Sequence, residues 1–154
     1  MKQHIYIDTS VIGGCEDEEF SEWSIQLLEE FRKGLRVAVI SNLTRRELEG
    51  APESVKKILL TLPDINVENV FLKEEAETLA RNYIDDGVVS VKNIADAQHI
   101  AIASVERVDI LVSWNFQHIV NIDRIHAFNS VNLKLGYPLL EIRSPREVIH
   151  EKEI

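Results

Sequence analysis

Three short, unbroken apolar runs constrain the fold of this chain more than any other feature: Ile5-Tyr6-Ile7, Val37-Ala38-Val39-Ile40 and Ile110-Leu111-Val112. Each is too short for a helix and lacks the polar alternation of a strand with one wet face. Such runs suit strands buried on both sides. Stretches with helical spacing lie between them. Phe20, Trp23, Leu27, Leu28 and Phe31 recur every three or four residues, and Gly34 stands where a C-cap belongs. Ser41 or Asn42 can cap a helix that holds Glu47. Gly50-Ala51-Pro52 breaks that helix, and Pro52 suits the first turn of another reaching about Leu62. Helices are also expected over Glu74–Tyr83, Ile94–Val105 and Arg124–Leu135, an edge strand over Val67–Leu72 and a last strand over Leu139–Ile142. Ser144-Pro145-Arg146-Glu147 matches a capping box. Short strands alternating with helices predict a single α/β domain over residues 1–154, a three-layer α/β/α sandwich with a central, mainly parallel sheet.

Charge narrows the function. With 17 Lys and Arg against 26 Asp and Glu, the net charge is −9, which excludes a protein that coats nucleic acid by bulk attraction. It leaves room for a nuclease whose local acidic site holds cations that then meet phosphate. The single cysteine, Cys15, cannot form an internal disulfide, and no apolar run has the length of a signal peptide core or a membrane span. A soluble, cytoplasmic protein with no membrane partner is the expectation.

In parallel sheets of this kind ligands bind beyond the carboxyl ends of the strands. Asp8 follows the first strand directly, Asn115 follows the Ile110–Val112 strand, Glu47 lies one turn into the helix after the second strand, and Asp96 opens the long helix before the Ile110 strand. Taken singly, each acid has an ordinary explanation: a turn with Thr9 and Ser10 for Asp8, a first-turn helix carboxylate for Asp96, a solvated face with Arg45, Arg46 and Glu49 for Glu47. Together beside one sheet edge they repel one another unless a cation sits among them. Oxygen ligands of this type suit Mg²⁺ or Mn²⁺, which activates water and offsets phosphoryl charge. Metal-assisted phosphodiester hydrolysis is the reaction that fits.

The segments Ile7-Asp8-Thr9-Ser10-Val11-Ile12, Glu47-Leu48-Glu49-Gly50, Ala95-Asp96-Ala97-Gln98-His99-Ile100-Ala101 and Leu111-Val112-Ser113-Trp114-Asn115, in this order and spacing, resemble the PIN domain family, specifically its stand-alone prokaryotic VapC-type toxins. The resemblance implies a PIN-like fold and Mg²⁺- or Mn²⁺-dependent endoribonuclease activity that leaves a 5′-phosphate and a 3′-hydroxyl. It implies RNA as substrate, an antitoxin as partner and a homodimer as assembly. Asp8, Glu47 and Asp96 match the family's metal-site acids. Asn115 falls where many members carry a fourth acid, and Gln117 where some carry a further Asp. The amide at 115 removes a negative charge while keeping a carbonyl oxygen that can meet a metal or orient water. Weaker metal affinity, or an inactive chain kept as a binding or assembly module, follows from that departure. In the second case the Phe20–Phe31 stripe or the Glu74–Tyr83 helix serves an interface instead of only the core.

Other chemistries fit less well. An aspartyl-phosphate enzyme needs an acid two residues after its nucleophile, and Ser10 stands there. His99, three residues after Asp96, lacks the Cys or His partners of a zinc site and reads as a hydrogen-bonding histidine. Trp114 either stacks on a base or packs between strand and helix; packing is the simpler role. Arg45 and Arg46 are the best placed basic residues for a phosphate contact.

Overall fold

The computed structural model describes residues 1–151; residues 152–154, the end of the expected domain, lie outside the described residues. The strands are β1 (His4–Ile7), β2 (Val37–Ser41), β3 (Val67–Val70), β4 (Ile110–Val112) and β5 (Glu141–Arg143). They form one sheet in the order β3-β2-β1-β4-β5. Every neighbouring pair is parallel, with Tyr6 opposite Val39 on one side and Leu111 on the other. The helices are α1 (Thr9–Gly13), α2 (Ser21–Arg32), α3 (Asn42–Leu48), α4 (Glu53–Leu60), α5 (Glu74–Asp85), α6 (Ile94–Val105), α7 (Ile122–Lys134) and α8 (Pro145–Glu151).

The period of two along each strand sorts the core into two layers. Tyr6, Val39, Leu111 and Ile142 face one cluster, with Leu79, Tyr83, Ile100, Ala103 and Phe128 from α5, α6 and α7. Ile5, Ile7, Ala38, Ile40, Ile110 and Val112 face the other, with Leu27, Leu28, Phe31, Val55, Val148 and Ile149 from α2, α4 and α8. The α2 stripe is therefore core: Leu27, Leu28 and Phe31 are fully buried, and each such side chain contributes on the order of 1.5–3 kcal/mol. Phe20 departs from it, standing just before the helix and turning towards Trp114.

Boundaries follow the local chemistry. Gly34, Gly87 and Gly136 take φ values of +74°, +77° and +88° just after α2, α5 and α7, the left-handed geometry that ends helices. Ser41 caps α3 by accepting from Thr44 N at 3.1 Å. Ser144 and Glu147 bond reciprocally at 3.1 and 3.3 Å, completing the expected capping box. Several bounds differ from the sequence reading: β3 ends at Val70 and not Leu72, α5 runs on to Asp85, α7 spans Ile122–Lys134 and not Arg124–Leu135, and α1 has no apolar spacing to announce it. The last strand is Glu141–Arg143 and not Leu139–Ile142, because Leu139 remains largely exposed after Pro138 and pairing with β4 begins only at Glu141. Pro52 sits at the N-cap of α4, not inside it, and the helix stops at Leu60 where Thr61 Oγ1 turns back onto Ile58 O at 2.6 Å. No helix among the described residues is long and apolar enough to cross a membrane.

Candidate active site between the ends of β1 and β4

The chain winds outward through β1, β2 and β3, then returns to lay β4 and β5 on the opposite side of β1. The order of winding therefore reverses between β1 and β4, and their carboxyl ends frame a crevice. Asp8 leaves β1 into it, almost fully buried at 5% exposure. Its Oδ1 accepts from Ser10 Oγ at 2.6 Å and from Val11 N at 3.3 Å, capping α1. Its Oδ2 accepts from Ser113 Oγ at 2.6 Å, just past β4. The two serines in turn accept backbone N–H groups of the β4 loop, Ser10 from Trp114 at 2.9 Å and Ser113 from Asn115 at 2.9 Å. One carboxylate thus ties the two loops together.

Glu47 approaches from α3. Its Oε1 accepts from Thr9 Oγ1 at 2.7 Å and lies 2.7 Å from His99 Nε2 on α6. The other ring nitrogen of His99 lies 2.6 Å from the buried Tyr6 hydroxyl, which is also 2.8 Å from Ser41 Oγ. A carboxylate can only accept. Facing that acceptor, His99 Nε2–H donates to Glu47, and Nδ1 and the Tyr6 hydroxyl share the second hydrogen bond. This chain crosses β2, β1, α6 and α3, and fixes the glutamate against the floor of the crevice.

Asp96 lies in the first turn of α6, where its Oδ1 accepts from Asn115 Nδ2 at 3.2 Å. The Asn115 carbonyl accepts from His118 N at 2.9 Å and so closes the turn after β4, while its amide hydrogens face Asp96. Both ends of the side chain are engaged within the protein. Gln117 is exposed, and its backbone carbonyl accepts from Asn121 Nδ2 at 2.9 Å.

No family model matches the chain, and no curated protein does. Solved structures do. VapBC2 from Rickettsia felis, crystallised with a DNA fragment from their promoter, shares 15% identity over 92% of this chain and 98% of that one, with a TM-score of 0.55. VapC20 from Mycobacterium tuberculosis, a Sarcin-Ricin loop cleaving toxin, shares 12% over 74% of this chain and 92% of its own, with a TM-score of 0.57. FitAcB from Neisseria gonorrhoeae shares 15% over 92% and 97%, with a TM-score of 0.56. The fold is VapC-like. Identities this low make the likeness one of architecture, and that architecture is the PIN-like α/β/α sandwich expected from the sequence.

Within this VapC-like crevice the acids sense one another. Burial pushes the Asp8 carboxyl up, opposed by the charge of His99 and by the two serine hydroxyls. Burial also pushes Asp96 up; His118 and His99 pull it down, and the negative charges of Asp8 and Glu47 add to the rise. For Glu47 burial again acts upward, but the hydrogen bond and charge of His99, then Thr9 and Arg46, outweigh it and hold the carboxyl below its ordinary range. Asp8, Glu47 and Asp96 therefore occupy one electrostatic neighbourhood. Their all-oxygen chemistry fits a hard divalent cation, with Glu47 Oε2 and Asp96 Oδ2 outside any hydrogen bond among the described residues. Among those residues no three His, Cys, Asp or Glu side chains are grouped closely enough to hold a metal ion as they stand. The donor set fits in kind, and Glu47 and Asp96 are the members with free oxygens to bring to an ion.

Several neighbours escaped the sequence reading. Ser113 enters the sequence reading only as part of the segment before Asn115, yet its hydroxyl donates to Asp8 and accepts from Asn115 N. His118 carries no motif in the sequence, yet it acts on Asp96 and its Nδ1 is buried without a hydrogen-bond partner among the described residues. Neither has a local signature, because each acquires its partner through the β1–β4 juxtaposition. Arg45 donates to Asn69 Oδ1 at 2.7 Å, towards β3, so Arg46 is the arginine whose charge acts on Glu47. Trp114 packs: it is 7% exposed, its Nε1 donates to Ser24 Oγ at 2.9 Å, and Phe20 stacks on it at 4.2 Å.

Proposed function

We propose that this chain is a divalent-metal-dependent endoribonuclease, the toxin half of a toxin–antitoxin pair acting in the cytoplasm, with a cognate antitoxin and a second copy as protein partners. The observation that carries the reading is the convergence of three acids at the switch point of a VapC-like sheet: Asp8 at the end of β1, Glu47 held by Thr9 and His99, and Asp96 on the helix that carries His99. Such a concentration of negative charge is hard to maintain without a cation. The names of the structural neighbours, VapBC2 and the cleaving toxin VapC20, support the same class. When bound, Mg²⁺ or Mn²⁺ supplies an acidified water and offsets charge on a phosphoryl oxygen.

The residues divide the remaining work. Asp8, locked by Ser10, Ser113 and the α1 N-cap, is the fixed anchor for the ion. Glu47, oriented by the Tyr6–His99 chain, and Asp96 present free oxygens that complete the set. Asn115 donates to Asp96 and steadies it. Arg46, whose charge acts on Glu47, is the arginine offered to a substrate phosphate. The test is cleavage of a mixed RNA pool with Mg²⁺ or Mn²⁺ by the chain and by its Asp8→Asn variant, with both new ends mapped. Equal cleavage by the two proteins would overturn the reading.

The Asn115 contact favours a second reading, a weak or inactive PIN-like binding or assembly module. The amide already gives the Asp96 carboxylate a hydrogen-bond donor inside the protein, where a fourth acid would have added charge that calls for a cation. Saturable Mn²⁺ binding that is lost in Asp96→Ala separates an enzyme from such a scaffold, which need bind none.

A further inference from the structure

The loop after β4 carries a large aromatic side chain that the core does not absorb. Phe116 is 49% exposed and follows Asn115, whose side chain donates to Asp96, so its backbone belongs to the loop that bounds the acidic crevice. Its backbone is firmly held. Asn121 Nδ2 donates to the carbonyls of both Phe116 and Gln117 at 2.9 Å, and the Asn115 carbonyl oxygen accepts from Ile119 N and Val120 N at 3.1 and 2.8 Å. Its ring leans on Trp114 at 6.1 Å and 63°, and on Phe20 at 6.3 Å and 54°. Neither neighbour lies parallel to it, so no stacking partner among these aromatics covers its face. Trp114 beneath is pinned by Ser24 and paired with Phe20.

We infer that Phe116 is a stacking platform for an unpaired nucleobase adjoining the scissile phosphate; this rests on the proposed action on RNA. Charge points the same way. A chain of net charge −9 gains little from releasing counterions on a phosphate backbone, so affinity for a strand has to come from elsewhere. Base–aromatic stacking is sequence-tolerant and independent of net charge, and a ring already held in place loses little freedom when a base lands on it. The crevice takes the phosphate; the ring takes the base beside it.

The test uses the full chain, without added divalent metal so that hydrolysis does not run. Binding of a fluorescently labelled single-stranded RNA and of its abasic counterpart is followed by anisotropy for the wild type, Phe116→Ala and Phe116→Trp. The wild type should bind the base-bearing strand about tenfold more tightly than the abasic one. Phe116→Ala should erase that preference and leave abasic binding unchanged, while Phe116→Trp keeps it. Equal loss on both strands, or an undiminished preference in Phe116→Ala, would overturn the inference. So would absence of RNA binding by every variant, the result expected if the ring serves a protein partner. With Mg²⁺ restored, a rise in KM with little change in kcat for Phe116→Ala supports stacking. If no variant cleaves RNA but the base preference survives, the nuclease reading fails and the platform stands.

Discussion

Asn115→Asp tests the electrostatic account of the crevice most directly. The substitution is nearly isosteric and keeps an acceptor for His118 N, but it replaces a donor 3.2 Å from Asp96 Oδ1 with a second carboxylate oxygen. At that separation two unit charges repel by about 1.3 kcal/mol at a dielectric of ~80 and about 5 kcal/mol at ~20. Both side chains are part-exposed, which places the repulsion near the lower figure, and the lost hydrogen bond adds about 1 kcal/mol. A destabilisation of about 2–3 kcal/mol lowers Tm by about 5–10 °C for a chain of this size. Thermal unfolding followed by circular dichroism, in a chelator at pH 7, reads it. Mn²⁺ at about a hundred times its Kd returns about 2.7 kcal/mol, and cleavage should speed up because a fourth acid has been supplied. At about pH 3.5, where the carboxyls are largely protonated, the deficit should shrink. A variant with the wild-type Tm in chelator at pH 7, or with an undiminished deficit in acid, would refute the reasoning.

Four further outcomes are expected. Asp96→Asn should raise Tm in chelator at pH 7 while abolishing cleavage. The sign follows from linkage: the folded chain holds the Asp96 proton to higher pH than the unfolded chain, so the native acid loses stability as pH rises from the ordinary carboxylate range through its raised value, and the gain from its removal should vanish at about pH 3.5. Glu47 has the opposite sign, adding stability above the ordinary range that is lost as pH falls through its lowered value, so Glu47→Gln should cost stability at pH 7 and little in acid. His99→Ala takes one hydrogen-bond partner each from Tyr6 and Glu47 and empties a buried ring site, and should cost about 2–4 kcal/mol in urea denaturation, against about 1–2 kcal/mol for Tyr6→Phe. Gly14→Ala places a Cβ 2.6 Å from Ser24 Oγ and 2.7 Å from Trp114 Nε1, which should cost about 1–3 kcal/mol; Gly13→Ala meets nothing within 4 Å and should be neutral or stabilising in the same denaturation.

What was legible in the sequence follows the range of the interactions involved. β1, β2 and β4 announce themselves because burial on both faces demands continuous apolar runs, and α6 is read to its ends from its Ala- and Ile-rich spacing. β5 at the sheet edge needs no such run, so its register comes from pairing with β4 and not from its own residues. Asp8 and Asp96 stand out as acids in otherwise apolar settings. Glu47 stood among other charges, and only His99 and Thr9 distinguish it from Glu49. The role of Asn115 was half visible: a missing negative charge can be read from one letter, but the direction of an amide comes from His118 on one side and Asp96 on the other.

The anchoring of Trp114 gives the chain a built-in optical reporter. Its indole N–H is held by Ser24, and its backbone N–H by the serine that also grips Asp8. The other tryptophan, Trp23, precedes Ser24 on α2, with the Arg146 guanidinium 5.6 Å from its ring centre. A Trp23→Phe chain would therefore emit from a single fluorophore hydrogen-bonded into the loops that carry the acids, and ions or strands entering the crevice would change its colour and brightness without any attached dye.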